Sequence, residues 1–181
     1  MRTTEKAAFF RKPRFIREEK YFDATLLLEG GKGYGAMERN KVIVHIRGMQ
    51  FDASADREEE NGAIETVTTG YLQKIGESWF LKYEEIQEDF DLTSDVLIKA
   101  APGRLKLQKK GLLNVSMEFA DGCFTQSDYH TPYGNILFGF HTGRVTVSEK
   151  AGSVEIRAAY LLEANGEYLA DSNIEILAEY I

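Results

Sequence analysis

The chain of 181 residues is 43% hydrophobic, carries a formal net charge of −7 and contains a single cysteine. This length fits one domain that buries roughly 70% of its unfolded surface on folding. One cysteine excludes an intramolecular disulfide, and no apolar run approaches the roughly 20 residues of a membrane helix, so a cytoplasmic location is expected.

The charge is unevenly distributed along the chain. Residues 1–36 carry eight of the 22 Lys and Arg but five of the 29 Asp and Glu, which leaves residues 37–181 with a net charge of −10. The run AAFFRKPRFIREEKYF has a composition that suits RNA or an anionic membrane surface, whereas Pro13 and the glycine-rich residues 30–35 favour a flexible linker. We therefore predict an N-terminal extension, residues 1–40, with Met37 as an alternative start, before a domain of residues 41–181. An acidic domain repels phosphate backbones, so no duplex nucleic acid is expected as a partner.

From Lys41 onward, apolar and polar residues alternate with a period of two. Val42, Val44 and Ile46 share one face of the first such segment. Turn signals, among them Asn61-Gly62, recur mostly every nine to eighteen residues. About ten strands in meander order predict an all-β fold, a single closed antiparallel β-barrel, because closure removes exposed edges. An open sandwich is the alternative.

Four short segments together resemble one protein family. They are Thr68-Thr69-Gly70-Tyr71, WFLKYEE from Trp79 to Glu85, Lys109-Lys110-Gly111 and Tyr129-His130-Thr131-Pro132-Tyr133-Gly134. Their order and spacing are similar to the TTGxY, YLxYxE, RxG and YxTxYG landmarks of the YwiB-like family, bacterial proteins of unknown function. The resemblance covers about residues 41–180. It implies a calycin (lipocalin-like) barrel whose interior takes a small or apolar molecule, and it implies no activity. Lys109 departs from the family arginine, which puts any bidentate role there in doubt.

The residue types that bind metals or act as nucleophiles do not form a recognisable motif. The candidates are His45, His130, His141 and Cys123. They form no CxxC or HExxH arrangement, and no two of them have i, i+2 spacing. Cys123 and His130 fall on opposite faces of a regular strand, and no serine lies in a GxSxG motif. We therefore predict no metal, no cofactor and no catalytic residue. Whether the protein is an enzyme stays open, and a non-catalytic role is favoured.

Strand parity places a set of polar side chains on the inner face of the predicted barrel. The predicted ligand-binding residues are Tyr83, Glu85, Tyr129, Thr131, Arg144 and Tyr160. Around Arg144 two registers are open: either Phe140, Thr142 and Arg144 point inward, or His141, Gly143 and Val145 do, since glycines accompany bulges that switch faces. The structural alternative is that Glu85 and Arg144 lie at the rims and that the tyrosines belong to the core.

Two functions follow from these observations. The first is a binding protein with a small-molecule ligand in the barrel interior. The second is a non-catalytic interaction or scaffold protein that uses the barrel surface or the basic extension. An enzyme using inner-face carboxylate and tyrosine groups is a third alternative. The sequence does not set the oligomeric state, and a homodimer is one alternative.

Overall fold

The computed structural model describes residues 39–48, 65–87, 92–111, 114–131 and 134–181. These residues form ten β-strands and no helix. The strands are β1 (Asn40–Arg47), β2 (Glu65–Ile75), β3 (Ser78–Gln87), β4 (Leu92–Ala101), β5 (Arg104–Lys110), β6 (Val115–Ala120), β7 (Phe124–Thr131), β8 (Gly134–Lys150), β9 (Ser153–Ala164) and β10 (Glu167–Tyr180).

All ten strands belong to one antiparallel sheet, in the order β6-β5-β4-β3-β2-β1-β10-β9-β8-β7. The first and last strands pair with each other, from Val42–Tyr180 to Arg47–Glu175. The free edges of the sheet are β6 and β7, which are consecutive in the chain. The predicted all-β fold and the meander order are thus confirmed. The sheet is nearly closed into a barrel, and one unsealed seam separates β6 from β7.

Side chains bridge this seam where a backbone ladder is missing. Thr125 Oγ1 donates a hydrogen bond to the carbonyl of Glu118, and Ser127 Oγ donates one of 2.6 Å to the carbonyl of Ser116. At the turn between the two strands, the Thr142 N–H donates to the Cys123 carbonyl. The two side-chain bonds satisfy carbonyls of β6 that face away from β5, and they hold the two free edges together.

The two ends of the barrel differ in their connections. At one end, here called the turn end, two-residue turns join β2 to β3, β4 to β5 and β8 to β9, with Gly76, Gly103 and Gly152 at positive φ. At the other end, here called the loop end, β1 is connected to β2 and β3 to β4. Lys74 Nζ contacts Glu149 across the turn end and lies 4.8 Å above the ring of buried Trp79. The turn end is therefore covered by an ion pair over an aromatic ring.

The core consists of inward-facing side chains from nine of the ten strands, in which buried positions alternate with more exposed ones. It contains Val42, Val44, Ile46, Leu72, Trp79, Leu81, Tyr83, Val96, Ile98, Ala100, Leu105, Leu107, Met117, Phe119, Phe140, Val145, Val154, Ile156, Ala158, Tyr160, Ile174, Ile176 and Ala178. The faces predicted from the period of two are confirmed for the core positions of the described strands except β8.

Several sequence-based expectations fall outside the described part of the chain. They are the extension up to residue 38, the Asn61-Gly62 turn and the Pro132-Tyr133 part of the last family motif. Within the described part, no helix is long and apolar enough to cross a membrane.

Candidate functional site

The ladder between β2 and β3 stops before either strand ends. It runs from Ile75–Ser78 to Gly70–Tyr83. Residues 65–69 of β2 then pair with β1 alone, and residues 84–87 of β3 pair with β4 alone. Across the gap, Thr68 Oγ1 donates a hydrogen bond of 3.4 Å to the Glu84 carbonyl. The two strands therefore form a fork that opens towards the loop end.

Gly70 lies at the base of this fork, where β2 approaches β3 closely. A Cβ atom at Gly70 would lie 2.6 Å from the Lys82 carbonyl oxygen and 3.1 Å from Cβ of Tyr83. Because both neighbours are backbone or Cβ atoms, neither can rotate away, and the strand itself would have to move. The glycine of the TTGxY segment is therefore required by the close approach of the two strands.

A cleft of about 440 Å³ lies at the fork on the outer wall of the barrel, and is here called the wall cleft. Most of its side chains point outward, since Leu72 and Leu81, their neighbours along the strands, are fully buried in the core. The lining residues are Arg39, Thr68, Thr69, Gly70, Tyr71, Gln73, Ile75, Phe80, Lys82, Tyr83, Glu84, Ile86 and Leu97. The volume falls within the roughly 300–1,000 Å³ typical of small-molecule sites.

The wall cleft combines apolar surface with charge. Tyr71 is 54% exposed and Ile86 is 70% exposed, so large apolar groups face solvent beside the cleft. Lys82 Nζ lies 3.2 Å from the Asp95 carboxylate. Asp95 is the ladder partner of Glu84, which places two carboxylates side by side at one end of the cleft. The arrangement suits an amphipathic ligand, because flat apolar groups and charged groups are both within reach.

A second polar feature lies on the inner face at the loop end. Lys109 Nζ lies 2.9 Å from Glu85 Oε2, and both side chains are mostly buried. Burial, with a smaller contribution from the charge of Glu85, raises the pKa of the neighbouring Tyr83 hydroxyl well above its ordinary value. Lysine therefore supplies the charge that neutralises Glu85 at the position where the family usually has arginine.

The three tyrosines of the predicted interior site lie on the inner face, within the packed core. Tyr83, Tyr129 and Tyr160 are 3%, 7% and 7% exposed. The ring of Tyr160 lies 4.8 Å from that of Phe119, and the ring of Tyr129 lies 5.9 Å from that of Phe138. Burial raises the pKa of Tyr160 to about 12. Tyr160 and Tyr129 therefore pack against phenylalanine side chains of the barrel.

The prediction that Arg144 points into the barrel is wrong. The pairing of β8 with β9 shifts between Thr142 and Arg144, so Gly143 is the extra residue of a β-bulge. Thr142 is therefore buried on one side of the bulge and Val145 on the other, while Arg144 is exposed. The first expected register, with Phe140 and Thr142 inward, therefore holds before Gly143. The second, with Val145 inward, holds after it. Arg144 consequently does not converge with Glu85.

Thr131, the remaining residue of the predicted site, ends β7 opposite Gly134. Its side chain lies outside the described part of the structure. Of the six predicted site residues, the structure brings Tyr83 and Glu85 together at the loop end, next to Lys109.

The histidines and the cysteine belong to local contacts on the surface. His141 Nε2 lies 2.7 Å from Glu163 Oε1, and its ring stacks on Phe124 with centroids 4.4 Å apart. The Cys123 thiol lies 3.5 Å from the carbonyl of Asp121. Among the residues that the structure describes, no three His, Cys, Asp or Glu side chains form a group that could hold a metal ion. The side chain of His130 is outside that set.

The sequence does not predict the wall cleft, because the expected site was sought on the inner face alone. Tyr71, Phe80 and Ile86 occupy outward positions of their strands. Large apolar residues on both faces of adjacent strands are the signal that indicates a second contact surface. The point where the β2–β3 ladder ends is not marked in the sequence by any residue other than Gly70.

Comparison with known proteins supports the fold and gives no activity. The crystal structure of ywiB protein from Bacillus subtilis superposes with a TM-score of 0.63 at 18% sequence identity, covering 81% of this chain and 96% of that chain. No curated protein matches the sequence. Residues 44–176 match the model of a domain of unknown function, DUF1934. The chain therefore belongs to the DUF1934 family, and the expected YwiB-like relationship is confirmed.

Proposed function

We propose that the protein is a binding protein that holds its ligand in the wall cleft. The observation that carries this proposal is the combination of a volume of about 440 Å³ with an amphipathic lining at a break in the sheet. Tyr71 and Phe80 offer aromatic surface, and Lys82 and Glu84 offer opposite charges. A ligand with an aromatic or apolar body and a polar group matches this lining.

The packing of the barrel favours the outer wall over the interior as the main site. Aromatic side chains from three strands meet inside the barrel: Phe119 of β6 lies 5.1 Å from Phe140 of β8 and 4.8 Å from Tyr160 of β9 between ring centroids. This part of the interior is filled by the protein itself. The ligand-binding function expected from the sequence is therefore better supported on the outer wall than in the barrel interior.

A small molecule at the loop-end mouth of the interior is the second candidate. The Glu85–Lys109 ion pair supports it, because this pair places two polar groups on the inner face beside half-buried apolar residues such as Val115. A calycin relationship, implied by the family resemblance, would favour this location. Fold analogy alone does not assign a ligand, so this candidate ranks below the wall cleft.

Binding of a small aromatic probe tests the main proposal. The probe is 1-anilinonaphthalene-8-sulfonate, and its position is mapped by amide chemical-shift changes in the full-length protein. We expect the largest shifts at residues 69–73 and 80–86 and an affinity in the micromolar to millimolar range. Ile86→Asp should weaken binding about tenfold, since it places a charge beside the apolar wall.

Leu169→Asp is the matched control. Leu169 is 49% exposed and does not line the wall cleft. The proposal is abandoned if both variants weaken the probe equally, or if the shifts cluster on the inner-face residues around Glu85 and Lys109. The latter outcome selects the interior site.

A further inference from the structure

The basic residues of the barrel are concentrated on one outer face. Residues 39–181 carry 14 Lys and Arg against 23 Asp and Glu, a net charge of −9. Half of these cations lie on one part of the outer surface, formed by the start of β1 and by β3 to β5, which is here called the basic face. They are Arg39, which directly precedes β1, and Lys41, Lys82, Lys99, Arg104, Lys106 and Lys110. Arg47, at the other end of β1, is bound to Glu65 and is not included. The acidic character of the chain therefore hides a local region of positive charge.

The strand register arranges these cations in two rows that cross the wall cleft. In one row, Lys41 pairs with Tyr71, and Tyr71 pairs with Lys82. In the other row, Phe80 pairs with Lys99, and Lys99 pairs with Lys106. Because adjacent strands are about 4.8 Å apart, the distance from β1 to β5 is roughly 19 Å. This stripe is longer than a small molecule and suits a polymer.

Some carboxylates also lie on this face, and they limit the positive region. Asp95 is bound to Lys82, and Glu118 lies directly opposite Lys106. The Glu84–Asp95 pair lies one position beyond Lys82 and marks the border of the basic face towards the loop end. Lys99 and Lys106 face each other directly, so two cations lie side by side on β4 and β5.

An aromatic ring belongs to each of the two basic rows. Tyr71, 54% exposed, lies between Lys41 and Lys82, and Phe80 lies below the Lys99 ammonium at 5.6 Å. Cations that follow a backbone and aromatic rings that stack on bases are the two elements of single-strand recognition on sheet surfaces.

We infer that the basic face binds single-stranded nucleic acid, with phosphates along the two rows of cations and a base stacked on Tyr71 in the wall cleft. This inference rests on the proposed function, because it places one base in the wall cleft. It differs from duplex binding. A duplex presents no free base to Tyr71, and its width brings a second phosphate strand towards the acidic part of the surface.

Fluorescence anisotropy with a labelled single-stranded oligouridylate of about ten nucleotides tests the inference on the full-length protein at low salt. Lys41→Gln combined with Lys106→Gln should weaken binding about fivefold to tenfold and reduce the salt slope by about 1.4, which is 0.7 for each phosphate contact. Tyr71→Ala should weaken binding about tenfold, through the lost stacking.

Arg144→Gln is the matched control, because it removes one exposed cation from the opposite part of the barrel. It should change the affinity by less than about twofold. The inference is overturned if the oligonucleotide does not bind, if all variants weaken it equally, or if a duplex of the same length or phosphatidylserine vesicles bind as tightly. Binding that none of the variants affects also overturns it, because it assigns the interaction to the N-terminal residues.

The two proposals fail in different ways. If the aromatic probe binds in the wall cleft but the oligonucleotide does not bind, the inference is wrong and the proposed function stands. If the oligonucleotide binds through the lysines while Tyr71→Ala has no effect and the probe does not bind, the wall cleft is not the site and both fail.

Discussion

Ser127 Oγ donates a hydrogen bond of 2.6 Å to the carbonyl of Ser116, and so joins two strand edges that share no backbone ladder. Thr125 makes the corresponding bond to Glu118 in a half-buried setting. Water can replace the hydroxyl of exposed Ser127 as a hydrogen-bond donor more easily than that of half-buried Thr125. The Thr125 bond should therefore contribute more to stability. We expect Thr125→Val to lower the free energy of unfolding by about 1–2 kcal/mol and Ser127→Ala by about 0.5 kcal/mol, measured by urea denaturation.

Ser148→Ala is the control for the seam, since Ser148 is an exposed serine of β8 far from β6. It should leave stability unchanged. Amide hydrogen exchange should become faster in β6 and β7 of the seam variants and stay constant elsewhere. If Ser148→Ala destabilises the protein as much as Thr125→Val, the seam bonds have no special role.

Thr142 is the next testable position, because its hydroxyl is buried without a partner. The residue is 3% exposed, and within the described structure its Oγ1 makes no hydrogen bond. An unpaired buried hydroxyl costs about 1–3 kcal/mol. Thr142→Val keeps the shape and removes this cost, so we expect a gain of about 1 kcal/mol in unfolding free energy. Thr142→Ser keeps the hydroxyl and should not stabilise. A destabilised valine variant would reveal a bound partner for this oxygen.

Gly70→Ala tests the close approach at the base of the fork. The new Cβ would lie 2.6 Å from the Lys82 carbonyl oxygen, so β2 and β3 have to separate. We expect a loss of about 2–4 kcal/mol and a changed probe affinity in the wall cleft. Gly143→Ala is the control, because its nearest atom, the Ala159 carbonyl oxygen, is 3.6 Å away. It should be nearly neutral, and equal losses at both positions would contradict the interpretation.

The buried tyrosines make stability depend on pH in the alkaline range. Tyr160 has its pKa raised to about 12, and the pKa of Tyr83 is also raised, mainly by burial in both cases. Below pH about 10 both hydroxyls are protonated in the folded and unfolded states, so stability is fully present. Above it the unfolded chain ionises first, and each tyrosine lowers stability by up to about 1.4 kcal/mol per pH unit, until its folded pKa is reached.

Tyr160→Phe should therefore reduce the alkaline slope of unfolding free energy, measured by urea denaturation between pH about 9 and 11.5. Tyr168→Phe serves as the control, because Tyr168 is 58% exposed. It should leave the slope unchanged. An unaltered slope in the Tyr160 variant would mean that its hydroxyl ionises equally in both states.

At each end of the barrel, two side chains at inward positions of their strands form an ion pair, and the two ion pairs should differ in strength. Glu85 and Lys109 at the loop end are 33% and 20% exposed, whereas Lys74 and Glu149 at the turn end are 45% and 53% exposed. We expect a coupling of about 1 kcal/mol for Glu85–Lys109 and at most about 0.5 kcal/mol for Lys74–Glu149. Double-mutant cycles with Gln and Met substitutions measure both. A stronger coupling at the turn end would contradict the role of burial.

The sequence predicts the strands of this protein well because alternation is a local property. The inward positions of Trp79, Leu81 and Tyr83 follow from parity alone, and the structure confirms them. The prediction from alternation fails at Arg144, because the single extra residue Gly143 exchanges the inward and outward faces for all later residues of β8. Whether a glycine makes a bulge depends on the neighbouring strand, which alternation in one strand cannot reveal.

The site was harder to predict, because the wall cleft arises from pairing between strands. The ladder between β2 and β3 ends at Gly70–Tyr83 since each strand continues with a different neighbour. The charges of the basic face are likewise scattered in sequence from Arg39 to Lys110, and only the register aligns them. The negative net charge of the chain gives no indication of a positively charged surface.

The pairing of β1 with β10 has a consequence for synthesis of the protein. Val42 pairs with Tyr180, so the barrel closes through almost the whole length of the domain. During translation, β1 has an unpaired edge until β10 has left the ribosome, and the sheet stays open until then. Contacts of such large sequence separation form slowly. The nascent chain is thus exposed to edge-to-edge association while β2 to β9 are synthesised, and chaperone binding to β1 should cease only after β10 has left the ribosome.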